Sequence, residues 1–310
     1  MNAPLISICI PSYERTEFLP RLLESIRLQN FRNFEVIFTD DSKTTAVKDF
    51  LDGYKADFPL VYVKNIPSLG TSRNMVEGLK YARANWIKMI HDDDFFADEN
   101  SLAICAEYCT GDSQYVFSGY NEYFEETGKL NNKTISQKQF QHITKTPSEI
   151  FAANLIGPPS VMMVRKDITV FFDSRLKWHT DMEYYYTILG KVKALYINKP
   201  LVNVSYNASQ ITNYTRMNPS VVVAEAIYLL NKHGSGITAN IWAYDSWWRE
   251  MRNMGINTVK ELEQYAGDQP VPPVAKTMVK HLHRIPPGLL QFRPLSKIFM
   301  FLSYLFNPFR

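Results

Sequence analysis

The sequence predicts an α/β fold, a mostly parallel sheet flanked by helices with a helical extension at its C-terminal end, on three observations. Over roughly the first 120 residues, short apolar runs of strand length alternate with stretches whose apolar residues recur every three or four positions. A β-α-β order repeated in this way implies parallel strands joined by crossover helices on both faces of a sheet. Past about Asn218, helical periodicity dominates.

Each element follows from its own pattern. "LISICI" (5–10) is an uninterrupted apolar run and reads as a buried strand. In the next segment Phe18, Leu19, Leu22, Leu23 and Ile26 share one face of a helix. "FEVIFTDDS" (34–42) and "LVYVKN" (60–65) are the second and third strands, "SRNMVEGLKYARA" (72–84) is a helix, and "WIKMI" (86–90) is the fourth strand. "DENSLAIC" (98–105) is patterned as a capped helix. From about Tyr115 the reading changes to strands at "YVFSGY" (115–120) and "SVMMVRKD" (160–167), with a helix over "SEIFAANLIG" (148–157). "VFFDSRLKW" (170–178) is a strand-like patch before an aromatic helix, and "ALYINKPLVNVSY" (194–206) is strand material interrupted by Pro200. "SVVVAEAIYLLNKHG" (220–234) and "NIWAYDSWWREMRNMG" (240–255) are helices, and "GDQPVPPVAK" (267–276) is a proline-rich hinge. The expected organisation is a domain over 1–215, with halves at 1–120 and 121–215, followed by an extension over 216–310.

Composition narrows the function classes. With 45% hydrophobic and 21% charged residues the chain is a folded globular protein. A net charge of +3 is too small to point to nucleic acid, and no nucleic-acid partner is expected. The N-terminal "MNAPLISICIPSYER" lacks a basic region and a small-residue cleavage site, so the expected location is the cytoplasm. Cys9, Cys105 and Cys109 form no CxxC pair and read as buried thiols. The segment from Gln269 to Arg310 has no Asp or Glu, carries Lys276, Lys280, Arg284, Arg293, Lys297 and Arg310, and ends in "KIFMFLSYLFNPFR". Its apolar run is shorter than the ~20 residues a spanning helix needs. A basic, aromatic-rich tail of this kind fits a peripheral contact with an anionic membrane surface at the inner face of the cell membrane. The alternative is a tail that packs its phenylalanines on the domain or on a partner subunit.

In parallel sheets, ligands bind beyond the carboxyl ends of the strands. Strand one ends in Pro11-Ser12-Tyr13-Glu14-Arg15, strand two in Asp40-Asp41-Ser42 and strand four in His91-Asp92-Asp93-Asp94, all on one edge. Three consecutive carboxylates against apolar sequence repel one another and lose solvation, so a positive charge is required there. A hard cation, Mn2+ or Mg2+, meets that need with oxygen ligands. No GxGxxG or GxxxxGK[ST] loop is present, so a nucleotide would be held by side chains and metal. Tyr13 packing beside a base, Asp41 accepting from it and Arg73 pairing with phosphate would serve. The bland readings are a core aromatic, a turn residue and a solvated charge.

"ISICIPSYERTEFLPRLLESIRLQNFRNFEVIFTDDS" and "LGTSRNMVEGLKYARANWIKMIHDDDFF" resemble the nucleotide-binding half of family 2 glycosyltransferases, inverting enzymes of the GT-A fold. The resemblance runs over about residues 5–205 and leaves the last third uncovered. It implies nucleotide contacts at Pro11, Tyr13 and Asp41, and Arg73 closing on nucleotide or diphosphate. It places His91-Asp92-Asp93 at the DxD position, with Asp93 the direct metal ligand and Asp92 near the ribose or a metal-bound water. His91 stands where many members have the first aspartate, and Ser42-Lys43 replace the usual glycine and serine.

An inverting transfer needs a base for the acceptor hydroxyl's proton. The family's acidic block falls on Thr180-Asp181, which makes Asp181 the expected base and Glu183 the fallback. Their bland reading is a helix N-cap. "IGPPS" (156–160) is the expected wall beneath the acceptor sugar. No QxxRW block follows, so transfer of a single sugar from a nucleotide-sugar donor, UDP favoured, to a glycan on a membrane lipid carrier is expected, as in bacterial O-antigen or capsule assembly. The rivals are a non-catalytic glycan-binding or scaffold protein on the same fold and a sugar-phosphate nucleotidyltransferase.

Overall fold

Strand β1 (Ile6–Ser12) is buried on both faces. On one side Ile6, Ile8 and Ile10 meet Leu19, Leu22, Leu23 and Ile26 of helix α1 (Leu19–Arg27) in a single apolar core. Each such side chain contributes about 1.5–3 kcal/mol when fully buried. Strand β2 (Phe34–Asp40), helix α2 (Ala46–Gly53), strand β3 (Leu60–Lys64), helix α3 (Thr71–Glu77) and strand β4 (Trp86–Met89) complete the predicted alternation. Asn74 of α3 fixes that helix to the sheet, its carbonyl accepting from Thr39 and its side chain donating to the Ser12 carbonyl. This is a computed structural model that describes residues 3–109, 111, 113–207, 215 and 218–310. The 215/216 boundary drawn from sequence falls beside residues outside that set.

Strands β1 to β4 pair in parallel, in the order β3-β2-β1-β4. Beyond β4 the sheet becomes mixed. Strand β5 (Phe95–Phe96) and helix α4 (Ser101–Glu107) follow the acidic triplet. Strand β6 (Tyr115–Phe124) forms a hairpin with β7 (Lys129–Lys133), after which come helix α5 (Gln137–Lys145) and strand β8 (Met162–Arg165). Among the described residues this makes a nine-stranded sheet, continuing β4-β8-β6-β9-β5. Helix α6 (Thr180–Leu189) and strand β9 (Ala194–Tyr206) follow β8 in the chain.

Several local expectations are corrected. Strand β9 is not interrupted by Pro200: the proline sits opposite Gly119 at a register shift, where the ladder does not need its missing N–H. The helix expected over 148–157 is only a short 3-10 segment, Pro147–Phe151, and Gly157 at φ +107° followed by Pro158-Pro159 bars helix at the far end of that stretch. The 170–178 patch forms no strand; Asp173 accepts from the Arg175 backbone and guanidinium in a turn, while Val170, Phe172 and Leu176 are buried singly.

The chain divides into two compact units. The first comprises Met1–Thr144, Leu155–Arg175 and Thr187–Ala208; the second takes Lys145–Asn154, Leu176–Tyr186 and Ser209–Arg310. The second unit is helical, with α7 (Pro219–His233), α8 (Ile241–Asn253), α9 (Val259–Ala266), α10 (Pro273–His283), α11 (Pro287–Gln291) and α12 (Arg293–Phe306). Trp247 and Trp248 of α8 lie in its core with Val271, Val274 and Met278. The proline-rich segment is therefore no hinge: Pro273 occupies the first turn of α10, where its fixed φ suits the helix, and the flanking valines are buried. Among the described residues no helix is long and apolar enough to cross a membrane.

Gly119 tests the bulge. A Cβ there would lie 2.7 Å from Thr134 Cγ2, 2.9 Å from the Lys133 carbonyl oxygen and 3.1 Å from that of Lys199. Gly119→Ala is expected to lower the unfolding free energy by about 2 kcal/mol, read from urea denaturation. An unchanged midpoint would contradict this packing.

Candidate active site

Parallel pairing brings three strand ends to one edge. Asp41 N–H donates to the Ser12 carbonyl at 3.0 Å and Ile90 N–H to the Cys9 carbonyl at 3.1 Å, so residues 13–15, 41–42 and 91–94 leave the sheet together. The acidic triplet turns at once, Asp94 N–H reaching the His91 carbonyl at 3.2 Å. Phe95 and Phe96 then pair with Asn203 and Val202 of β9, which explains why apolar residues follow the charges so closely.

The positive charge that the triplet demands is Arg15. Its guanidinium lies 2.5 Å from Asp92 Oδ1 and 2.9 Å from Asp93 Oδ2. Asp92 also accepts from Tyr13 N–H at 3.4 Å. Asp94 accepts from the Ser160 hydroxyl at 2.5 Å and the Ser205 N–H at 2.9 Å, and Ser160 accepts from His91 N–H at 2.9 Å. Ser160, expected in an acceptor wall, is thus a brace for the acidic turn. Burial pushes the Asp92 carboxyl up to about 7 even against Arg15, and burial with the neighbouring Asp93 charge raises Asp94 well above its ordinary value.

His91, Asp93 and Asp94 each offer a ligand atom, and the three atoms lie within 4.8 Å of one another. Two carboxylates and an imidazole can together ligate a divalent cation, and Arg15 supplies positive charge to one of them, Asp93. The residues fit a divalent ion. Sequence reasoning named Asp93 and Asp92; it assigned no role to Arg15 or Ser205. The signal for Arg15 was present, since it follows Tyr13 by two positions on the loop that leaves β1.

The nucleotide candidates occupy distinct settings on this unit. Tyr13 is half exposed, Pro11 is partly buried in β1, and Arg73 stands exposed in the first turn of α3. Asp41 is buried and accepts from Asn65 Nδ2 at 2.9 Å, Ser68 Oγ at 2.7 Å, Leu69 N–H at 2.7 Å and Gly70 N–H at 2.8 Å. Burial opposes its charge, but these donors outweigh it and hold the carboxyl below its ordinary value. A cavity of about 620 Å³ elsewhere on the unit is lined by Arg21, Leu28, Phe95 and Asp98 and by none of the candidate site residues.

In the second unit, the start of α6 is held by Glu225. Its carboxylate accepts from Lys177 N–H at 2.5 Å, Trp178 N–H at 3.1 Å and His179 N–H at 2.9 Å. The His179 ring lies between Glu225, at 3.3 Å, and Glu250, at 3.2 Å. Glu183 is buried against Lys232 at 2.7 Å and His233 at 3.0 Å. Asp181 is partly exposed, and among the described residues no hydrogen bond or ion pair holds its carboxylate. Loss of solvent alone pushes it up to about 7.

With this geometry in hand, comparisons with known proteins converge. The family model described as Glycosyl transferase family 2 matches residues 7–171, more than half of the chain. The chain is 35% identical over 108 residues to an abequosyltransferase, RfbV, of Salmonella typhimurium, covering 34% of this chain and 32% of that protein. It is 27% identical over 122 residues to the Escherichia coli UDP-Glc:alpha-D-GlcNAc-diphosphoundecaprenol beta-1,3-glucosyltransferase WfaP, covering 39% and 47%. The chain thus spans less than half the length of these two relatives. Among solved structures, Staphylococcus aureus TarS with UDP-GlcNAc superposes with a TM-score of 0.61 at 15% identity over 97% of this chain and 89% of that one. The Pyrobaculum calidifontis mannosyltransferase PcManGT with GDP-Man and Mn2+ gives 0.52 at 14% identity over 99% and 87%. These structural likenesses give the fold, GT-A.

The His179 cluster carries a stability test. Burial pushes the imidazolium down, but Glu250 and Glu225 outweigh it and raise it from 6.5 to about 9. A raised histidine contributes stability fully below its unfolded value and loses it as pH rises through the folded one. The melting temperature is therefore expected to fall between about pH 6.5 and 9 by an increment that His179→Gln removes. Equal pH dependence in the two proteins would contradict the charged-histidine assignment.

Proposed function

The chain belongs to glycosyl transferase family 2, and from that membership we propose that it moves a single sugar from a nucleotide-sugar donor, UDP-linked by preference, to a hydroxyl of a glycan acceptor with inversion. The observation that carries this reading is the cluster of His91, Asp93 and Asp94 at the carboxyl edge of the parallel strands, inside the segment that the family model matches. Those three residues would hold Mn2+ or Mg2+, which when bound offsets the charge developing on the departing diphosphate. Asp92 serves the ribose or a metal-bound water. Arg15 pairs with Asp92 and Asp93 and so competes with the cation at Asp93.

Pro11 and Tyr13 support the nucleoside, Asp41 accepts from the base in exchange for one of its loop donors, and Arg73 pairs with the diphosphate. Asp181 is the base. The acceptor oxygen forms its bond to the anomeric carbon as the bond to the diphosphate oxygen breaks, and the hydroxyl proton passes to the Asp181 carboxylate. A carboxyl near 7 without a competing partner is suited to that task, whereas Glu183 is committed to Lys232 and His233 and anchors the helix. WfaP's name specifies an acceptor on a diphosphoundecaprenol lipid. A comparable lipid-linked glycan in bacterial surface-polysaccharide synthesis, O-antigen or capsule, is the proposed acceptor here, met at the cytoplasmic face of the membrane.

Calorimetric titration with UDP, GDP, CDP and dTDP, each with Mn2+ and with EDTA, is expected to show one nucleotide binding only with metal. Asp93→Ala should abolish that metal dependence. Binding of none of the four would sink the donor assignment and favour a scaffold.

Asp181→Asn should leave nucleotide binding intact and lower kcat by at least about 100-fold. Because the base must be ionised, kcat/KM should rise with pH through about 7 and level off above it. Normal transfer by the Asn variant would remove Asp181 from the mechanism.

A further inference from the structure

Helix α12 turns most of its large apolar side chains outward and anchors its inner side through polar groups beside the buried Met300. Ser296 accepts from Trp248 Nε1 at 3.3 Å and Arg252 Nη1 at 2.7 Å. Ser303 is 2.7 Å from the Tyr244 hydroxyl and 2.8 Å from His281 Nδ1. Just past the helix, Asn307 donates to Tyr244 at 3.1 Å and to the Val274 carbonyl at 2.9 Å. The opposite side presents Ile298, Phe301, Leu302 and Leu305, with Phe306 beside them, between 42% and 71% exposed. Rolling the helix to bury these residues would strand the buried polar groups, at about 1–3 kcal/mol each. Its outward apolar face is therefore a fixed feature of the fold.

Large apolar side chains held in water at i, i+3, i+4 and i+7 form a surface that a partner must cover. The charge of the segment that carries this face selects the partner. No carboxylate occurs from Gln269 to Arg310, and Lys280, Arg284, Arg293 and Arg310 are exposed. Lys297 pairs with Asp245 at 2.7 Å and stands 5.6 Å from the ring of the half-exposed Trp242, an amphipathic aromatic of the kind that sits at a lipid headgroup boundary. Two copies meeting through this face about a two-fold axis would bring two basic segments together with no acid in either to offset them. An anionic phospholipid surface offers apolar depth and the opposite charge together.

We propose that the outward face of α12 is a membrane-docking surface that lies in the interface of an anionic bilayer, with Phe301 and Leu305 inserted and the exposed basic residues of the segment on the headgroups. It deepens the lipid-carrier reading given above, yet it is argued from this helix alone. The full chain should cosediment with vesicles of phosphatidylcholine and phosphatidylglycerol and not with phosphatidylcholine alone, and added salt should weaken the binding. F301S/L305S, both exposed positions, should bind at least about tenfold more weakly with an unchanged thermal melt. A second variant, K280E/R293E, should lose the preference for anionic vesicles.

Absence of wild-type binding, or equal binding by F301S/L305S, overturns the proposal. So does a dimer in light scattering that F301S/L305S dissociates, which would make a second copy the occupant. Transfer to a short water-soluble acceptor separates this inference from the enzymatic one. A wild-type chain that transfers to this acceptor but does not bind vesicles would overturn docking alone, whereas vesicle binding with no transfer would overturn the catalytic reading alone.

Discussion

Three carboxylates at the end of a buried strand set the terms for the first unit. Like charges a few ångströms apart in a medium less polar than water repel strongly, and each has lost hydration. The fold answers with several devices at once. Arg15 brings a full charge from the β1–α1 loop, the Ser160 hydroxyl and Ser205 N–H bond Asp94, and the Ser205 hydroxyl and Arg21 hold the Asp93 carbonyl. Ser160 precedes β8 and Ser205 lies near the end of β9, so satisfying the triplet ties together elements far apart in the chain. Buried Lys88, four positions before Asp92, donates to the Ser160 carbonyl and joins the same brace.

The second unit solves a related problem differently. Glu225 accepts three successive backbone N–H groups before α6 and also faces the His179 ring, while Glu183 is matched by Lys232 and His233. Among the described residues around the start of that helix, the partly exposed Asp181 has no such hydrogen bond or ion pair, and loss of solvent raises its proton affinity. Two residues on, Glu183 is matched by two cationic partners, so the two carboxylates differ in what holds them.

The parallel half of the sheet and the shared edge of its strand ends were legible because buried parallel strands and amphipathic helices write their periods directly into the sequence. The misread segments are those where a local rule was overruled by distant pairing. Pro200 looked like a break because its partner across the bulge, Gly119, lies 81 positions upstream. The 267–276 prolines looked like a hinge because their composition matches a linker, while the burial of Val271 and Val274 depends on helices earlier in the unit. At the site, aspartates announced themselves by their density. Arg15 was signalled only by its place on the loop after β1, two positions past Tyr13, and Ser205 by nothing, because a lone serine has no pattern until the fold brings it to the backbone beside a carboxylate.

Arg15 is aimed by strain in the residue before it. Glu14 sits at φ +60°, a left-handed conformation uncommon outside glycine. It is held there from both ends: its N–H donates to Ser42 Oγ at 2.7 Å, and its carboxylate accepts from Lys43 N–H at 2.6 Å and from Thr44. The loop after β2 thus fixes the turn after β1 and sends the next side chain to Asp92 and Asp93. The guanidinium occupies a carboxylate, Asp93, that a divalent ion would also ligate, so the contact that stabilises the free acidic cluster opposes cation entry there. The loop that positions Arg15 contains Tyr13, one of the proposed nucleotide contacts, and is latched to Ser42, next to Asp41, another. Anything that moved this loop away from the carboxylates would loosen the protein's own counter-ion in the same movement.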